Sequence, residues 1–160
     1  MFNVKSLKDS KEIIKSNFKD YPIKKEMIKT IHALGLILSE DIYSRCDVPH
    51  FNKSTVDGYA VRYEDVKLAS ESSPSILKVT GEVLMGKEAP IKLQASEAII
   101  IPTGGHVPNG SDAVVMIENT QRLNNEVLIY KKLSKHDNIV SIASDLKKDT
   151  LFLNKNTKVS

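Results

Sequence analysis

The stretch Asp47-Val48-Pro49-His50-Phe51-Asn52-Lys53-Ser54-Thr55-Val56-Asp57-Gly58-Tyr59-Ala60 marks where this chain changes character. From residue 46 to residue 140 no helical window of any length stands out. Short β-type runs take over instead, at Tyr59–Arg62, Ile76–Thr80, Ala98–Ile101, Ala113–Ile117 and Glu126–Lys131. Clusters of Gly, Pro, Asn and Ser separate them, as an all-β module requires. The serine-rich residues 70–75 read as a surface loop.

Working outward, residues 6–18 read as a helix: Ser6 can cap it, and Leu7, Ile14 and Phe18 fall on one face with Ile13 beside them. Pro22 ends that element, and the rough alternation from Ile23 to Lys29 suits a strand. Thr30 is placed to cap one turn, Ile31-His32-Ala33-Leu34, with Gly35 where a left-handed C-terminal cap belongs. Ile37 to Tyr43 resumes extended structure. The fold class is therefore α+β. A β-rich insert at 46–140, short-stranded and either barrel-like or a bifurcated sheet, sits on a smaller helix-plus-strand body made by the two ends, 1–45 and 141–160.

Composition excludes several function classes. With 41% hydrophobic and 27% charged residues the chain is ordinary globular material. No apolar run approaches the roughly 20 residues of a spanning helix, and lysines and acids interrupt the N-terminus where a signal peptide would be apolar. A single cysteine, Cys46, suits a reducing, cytoplasmic compartment. The net charge of +3 is local: residues 5–29 hold eight lysines against Asp9, Glu12, Asp20 and Glu26. Lysines alternating with acids on a helix make a solvated face rather than a nucleic-acid surface, and arginine occurs only at 45, 62 and 122. His32, His50, His106 and His136 lack the close spacings of a metal site.

Two loops could carry chemistry. In the first, Gly58 can adopt a backbone closed to other residues and set Asp57 at a bend. An aspartate held there orients a ligand, ligates Mg²⁺ or acts as a base. The residues alone favour an Asx-turn, the plainer reading. The second loop, Pro102-Thr103-Gly104-Gly105-His106-Val107-Pro108-Asn109-Gly110, lies between two apolar runs. Its glycines and threonine allow backbone amides and a hydroxyl to approach an oxyanion as a nest does. A plain hairpin connection accounts for it equally well.

Together the loops resemble the MoeA/gephyrin family, which inserts molybdenum into molybdopterin. Residues 47–62 follow that family's Asp-Val-Pro-x-Phe…Ser-x-x-Asp-Gly-Tyr-Ala-Val-Arg pattern, and Thr103 through Val115 follow its Thr-Gly-x-x-x-Pro-x-Gly-x-Asp-Ala-Val-Val pattern. Weaker agreements are Ala33-Leu34-Gly35, Gly81-Glu82 with Gly86, and Ser144-Asp145 before Lys148. The resemblance implies catalytic roles for Asp57 and Thr103 and substrate binding by Ser54, Gly58, Gly104 and Asp145. It implies Mg²⁺ as cofactor, with Asp57 its candidate ligand, and molybdate and adenylylated molybdopterin as substrates.

The same resemblance implies a homodimer in the cytoplasm, working with other molybdenum cofactor biosynthesis proteins and with neither nucleic acid nor membrane. Asn52-Lys53 stand where the family often has Asp-Asn or Asp-Arg, Gly105-His106-Val107 replace Ala-Pro-x, and Ala143-Ser144 replace Gly-Glu. Family members continue into a molybdopterin-binding α/β domain, and their active sites form between that domain of one protomer and the loop-bearing domain of its mate. This chain is then expected to hold one wall of a shared site and to be inactive by itself. The alternative is a non-catalytic scaffold of the same fold that binds a partner protein.

Overall fold

The computed structural model describes residues 4–89 and 92–160, and the chain divides into two compact units. The first comprises the residues up to Asp41 together with Leu153–Ser160. Its helix α1 spans Leu7–Asn17 and begins at a complete capping box: the Ser6 hydroxyl accepts from the Asp9 amide, and the Asp9 carboxylate accepts from the Ser6 amide. A 3₁₀ turn follows at Thr30–His32, preceded by Lys29 with no side-chain cap, so Thr30 is not the cap the sequence suggests. Gly35 does take the left-handed conformation, with φ of 82°. Residues 23–29 form no strand, because their alternation meets no neighbouring ladder. Of the extended stretch 37–43, only Ile42–Tyr43, β1, is a strand, while Ile37 makes a single bridge to Lys158.

The second unit, Ile42–Phe152, holds the sheet. After β1 come β2 (Lys53–Ser54), β3 (Gly58–Val61), a one-turn helix α2 (Tyr63–Val66), β4 (Ser75–Glu82), β5 (Glu97–Ile101) and β6 (Ala113–Met116). β7 (Thr120–Leu123), β8 (Glu126–Ile129), β9 (Ile139–Val140) and β10 (Leu151–Leu153, whose last residue falls in the first unit) complete the strands. Six strands join in the order β6-β3-β5-β4-β8-β7; β2 pairs β9 and β1 pairs β10 as separate ribbons. All pairs in the six-stranded sheet are antiparallel except β4 with β5. The α+β class expected from sequence holds, with a six-stranded sheet plus two ribbons as its β part. The small helix α2 corrects the expectation of a segment free of helix.

Why the central strands read as unbroken apolar runs is now clear. Successive side chains point to opposite faces of a sheet, and here both faces are covered. Tyr59, Val61, Ala98, Ala113 and Val115 pack with Val66, Leu77, Val127 and Ile129 on one side. Ala60, Ile99, Ile101 and Val114 pack with Val83, Leu93 and Val107 on the other. No described helix is long and apolar enough to cross a membrane.

Candidate functional site

The two motif loops are zipped together by their backbones. The Val107 amide donates to the Asn52 carbonyl (2.9 Å), the Ser54 amide to Gly105 (3.0 Å) and the Gly104 amide to Ser54 (2.8 Å). Ser54 is buried, and its hydroxyl donates to the Val56 carbonyl at 2.6 Å while accepting from the Val56 amide at 3.2 Å. That hydroxyl shapes the turn that presents Asp57 and has no face toward solvent for a substrate.

Asp57 is exposed, but one of its oxygens is fixed. Oδ1 accepts from the Thr103 amide at 2.7 Å and from the Thr103 hydroxyl at 3.1 Å, across 46 residues of sequence. The Asx-turn reading is replaced by a long-range clamp between the motifs. Gly58 shows no positive φ; it is required because a Cβ there would be driven into the Val115 carbonyl of β6. Close strand approach, not a special bend, demands the glycine. Gly104 does adopt the left-handed region, with φ of 79°.

The anion-nest expectation changes as well. The amides of Thr103, Gly104 and Gly105 donate to the Asp57 carboxylate, the Ser54 carbonyl and the Pro102 carbonyl. None of the three is left over to cradle an oxyanion, so the loop's donors hold the site's shape.

Beside the clamp lies a depression of about 180 Å³ lined by Asp57, Gly58, Tyr59, Ile100, Pro102 and Ile117, with Glu82 and Ile101. Glu82 is a functional candidate that sequence reasoning missed; the only hint was the Gly81-Glu82 pair. Asp145 stands elsewhere. Its amide donates to the Val48 carbonyl at 2.9 Å, and its Oδ1 accepts from the Ser144 hydroxyl at 3.1 Å. It does not line the depression. Beside it Ala143 takes a left-handed φ of 61°, a glycine conformation at one of the positions where the sequence departs from the family pattern. Among the described residues no three His, Cys, Asp or Glu side chains converge on a metal site.

A model described as the MoeA N-terminal region (domain I and II) matches residues 5–160. A molybdopterin molybdenumtransferase of Staphylococcus epidermidis is 34% identical over 151 residues, covering 94% of this chain and 36% of that protein. A putative molybdopterin biosynthesis protein of Methanocaldococcus jannaschii is 34% identical over 156 residues, 96% of this chain and 37% of its own length. Among solved structures, the molybdopterin biosynthesis MoeA protein of Pyrococcus horikoshii superposes with a TM-score of 0.83 at 40% identity, over 98% of this chain and 40% of that one. The chain thus spans little more than a third of the length of the curated relatives it matches over nearly its full extent.

Proposed function

The chain belongs to the MoeA family through its N-terminal region, and on that premise we propose that it works in molybdenum cofactor biosynthesis, supplying one wall of a molybdopterin molybdenumtransferase site. The reaction is insertion of molybdate into adenylylated molybdopterin in the cytoplasm. The observation that carries this reading is the Asp57–Thr103 clamp, which joins the two motifs that make the family resemblance into one structure. The second wall comes from a molybdopterin-binding α/β domain of the partner in a homodimer.

The donor set suits the expected cofactor. Mg²⁺ takes one or two carboxylates, keeps several waters and completes its shell with substrate phosphate. Asp57 offers one carboxylate whose Oδ1 is already oriented by Thr103, and it is the residue that would hold the ion. When bound, Mg²⁺ offsets phosphate charge and makes the adenylate a better leaving group. Thr103 acts by holding Asp57, and the Gly104 and Gly105 amides by holding the loop. Orientation set before substrate arrives removes reorganisation from the reaction. Asp145, which lies outside the depression, is assigned to holding the substrate.

Asp57→Asn keeps an oxygen for Thr103 to bond but removes the charge. In the longer protein that includes the α/β domain, conversion of adenylylated molybdopterin and molybdate to molybdenum cofactor falls by about 100-fold or more. The melting temperature stays within about 2 °C, as expected for an exposed side chain. Undiminished conversion by this variant would remove Asp57 from the site.

A further inference from the structure

Glu82 lines the depression opposite Asp57 and has no task in the reading above. The sheet register explains how it comes to be there. Tyr59 stands opposite Ile100 and Gly58 opposite Ile101, so Asp57 follows opposite Pro102. On the other side of β5, Glu82 stands opposite Ile100. Side chains opposite one another across strands share a face, as do alternate residues along one. Asp57, Tyr59, Ile100, Pro102 and Glu82 therefore share a single face.

A β-bulge places Glu82 on that face. Val79 pairs with Ala98, but Gly81 pairs with Ile99, leaving Thr80 as the extra residue. Unbulged pairing would set Glu82 opposite Ile101 and turn it to the other side of the sheet, since one residue of slip inverts every side chain beyond it.

The spacing and the floor choose the ligand. β5 lies between β3 and β4, so the backbones bearing Asp57 and Glu82 stand two strand spacings apart, about 10 Å. Between the carboxylates stand Ile100 and Pro102, in and just after β5, and Tyr59 and Ile117 also line the depression. A flat heterocycle fits such a floor, with its N–H edge at the exposed carboxylate. An ionised carboxylate only accepts, and its two oxygens match two parallel N–H donors. A 2-amino-4-oxopyrimidine edge presents such a pair of donors, on its ring N–H and its amino group.

We propose that Glu82 recognises this aminopyrimidinone edge of the pterin substrate, seating the ring on the Ile100–Pro102 floor with its reacting end toward Asp57. The choice of a pterin rests on the proposed function; the acceptor, the floor and the register do not.

The test titrates the chain with pterin and with lumazine, which carries a carbonyl in place of the 2-amino group, following ring fluorescence. Pterin should bind saturably, and Glu82→Gln should weaken it roughly 10- to 100-fold, the range for a lost bond to a charged group. Lumazine should bind more weakly and equally to both proteins. Circular dichroism identical to wild type separates a lost contact from a lost fold, and Glu82→Asp, which keeps the charge on a shorter arm, should recover part of the affinity. Equal pterin affinity in wild type and Glu82→Gln overturns the inference, as does an absence of saturable pterin binding or lumazine bound as tightly as pterin. No turnover is involved, so these results stand apart from the Asp57→Asn assay. Glu82-independent binding beside an inactive Asp57→Asn enzyme overturns only the recognition edge.

Discussion

The two units of this chain draw on similar apolar material and reach opposite states. In the sheet unit Val61, Ile99, Ile101, Val114, Val127 and Ile129 are essentially inaccessible. In the helix-bearing unit no described residue is buried, and Leu7, Ile14 and Phe18 are 74%, 58% and 62% exposed on the stripe that should be the helix's inner face. The helix is nonetheless well formed, with both halves of its capping box in place. Local signals are sufficient to start and stop a helix, whereas an interior needs a second layer. A strand in the middle of a six-stranded sheet gains neighbours through its ladder; a single helix has none of its own.

The largest predicted contrast follows from this. Ile99→Ala, at the centre of β5, should lower the unfolding free energy by about 2–5 kcal/mol, from lost transfer energy and the cavity left behind. Ile14→Ala, on the exposed stripe, should change it by less than about 0.5 kcal/mol. Urea unfolding of the two variants makes the comparison directly. Equal losses would break it, by showing that the helical stripe is covered in solution.

Next in size is the cap. Ser6→Ala removes the hydroxyl that accepts from the Asp9 amide and should cost α1 about 1 kcal/mol. With no buried residue to hold the helix, that loss should appear as reduced far-ultraviolet helical signal at an unchanged sheet transition. A helix that kept its full signal would be one held by packing rather than by its terminus.

What the sequence made legible follows the same division. Ala98–Ile101 and Ala113–Val115 announce themselves because strands buried on both faces are continuous apolar runs. β7 escapes notice because Thr120–Leu123 is a mostly exposed edge held by its ladder to β8. The two-residue strands β2 and β9 need partners distant in sequence: Lys53 pairs with Val140 and Ser54 with Ile139, and Lys53 also bridges to His106. Alternation at residues 23–29 misleads for the converse reason, since it has no partner. In the site, Asp57 and Thr103 are visible as motif residues, yet the bond between them requires the β3–β5 register. Glu82 depends on the Thr80 bulge, which no period-2 pattern reveals.

The smallest predicted effect concerns α2, the counter-case to α1. It is a single turn with no side-chain cap, but its Val66 is fully buried in the sheet core. On its surface the Lys67 ammonium meets Glu64 at 2.6 Å. The hydrogen bond from Lys67, and then its charge, hold the Glu64 carboxyl below its ordinary value. The same bond, and then the Glu64 charge, raise Lys67 above its own. Glu64, depressed on folding, contributes stability above its unfolded value and loses it as pH falls through the folded one. Lys67, raised on folding, contributes below its unfolded value and loses it as pH rises through the folded one. The pair's window thus runs from the acid side of the glutamate range to the alkaline side of the lysine range. Both groups are open to solvent, so water and salt screen the attraction. Lys67→Met should move the Glu64 titration, followed by carbon-13 NMR, up toward the ordinary carboxylate value while moving the melting temperature at pH 7 by no more than about 1 °C. A fall of several degrees would mean that this turn, like α1, stands on its surface bonds, and that Val66 does not anchor it.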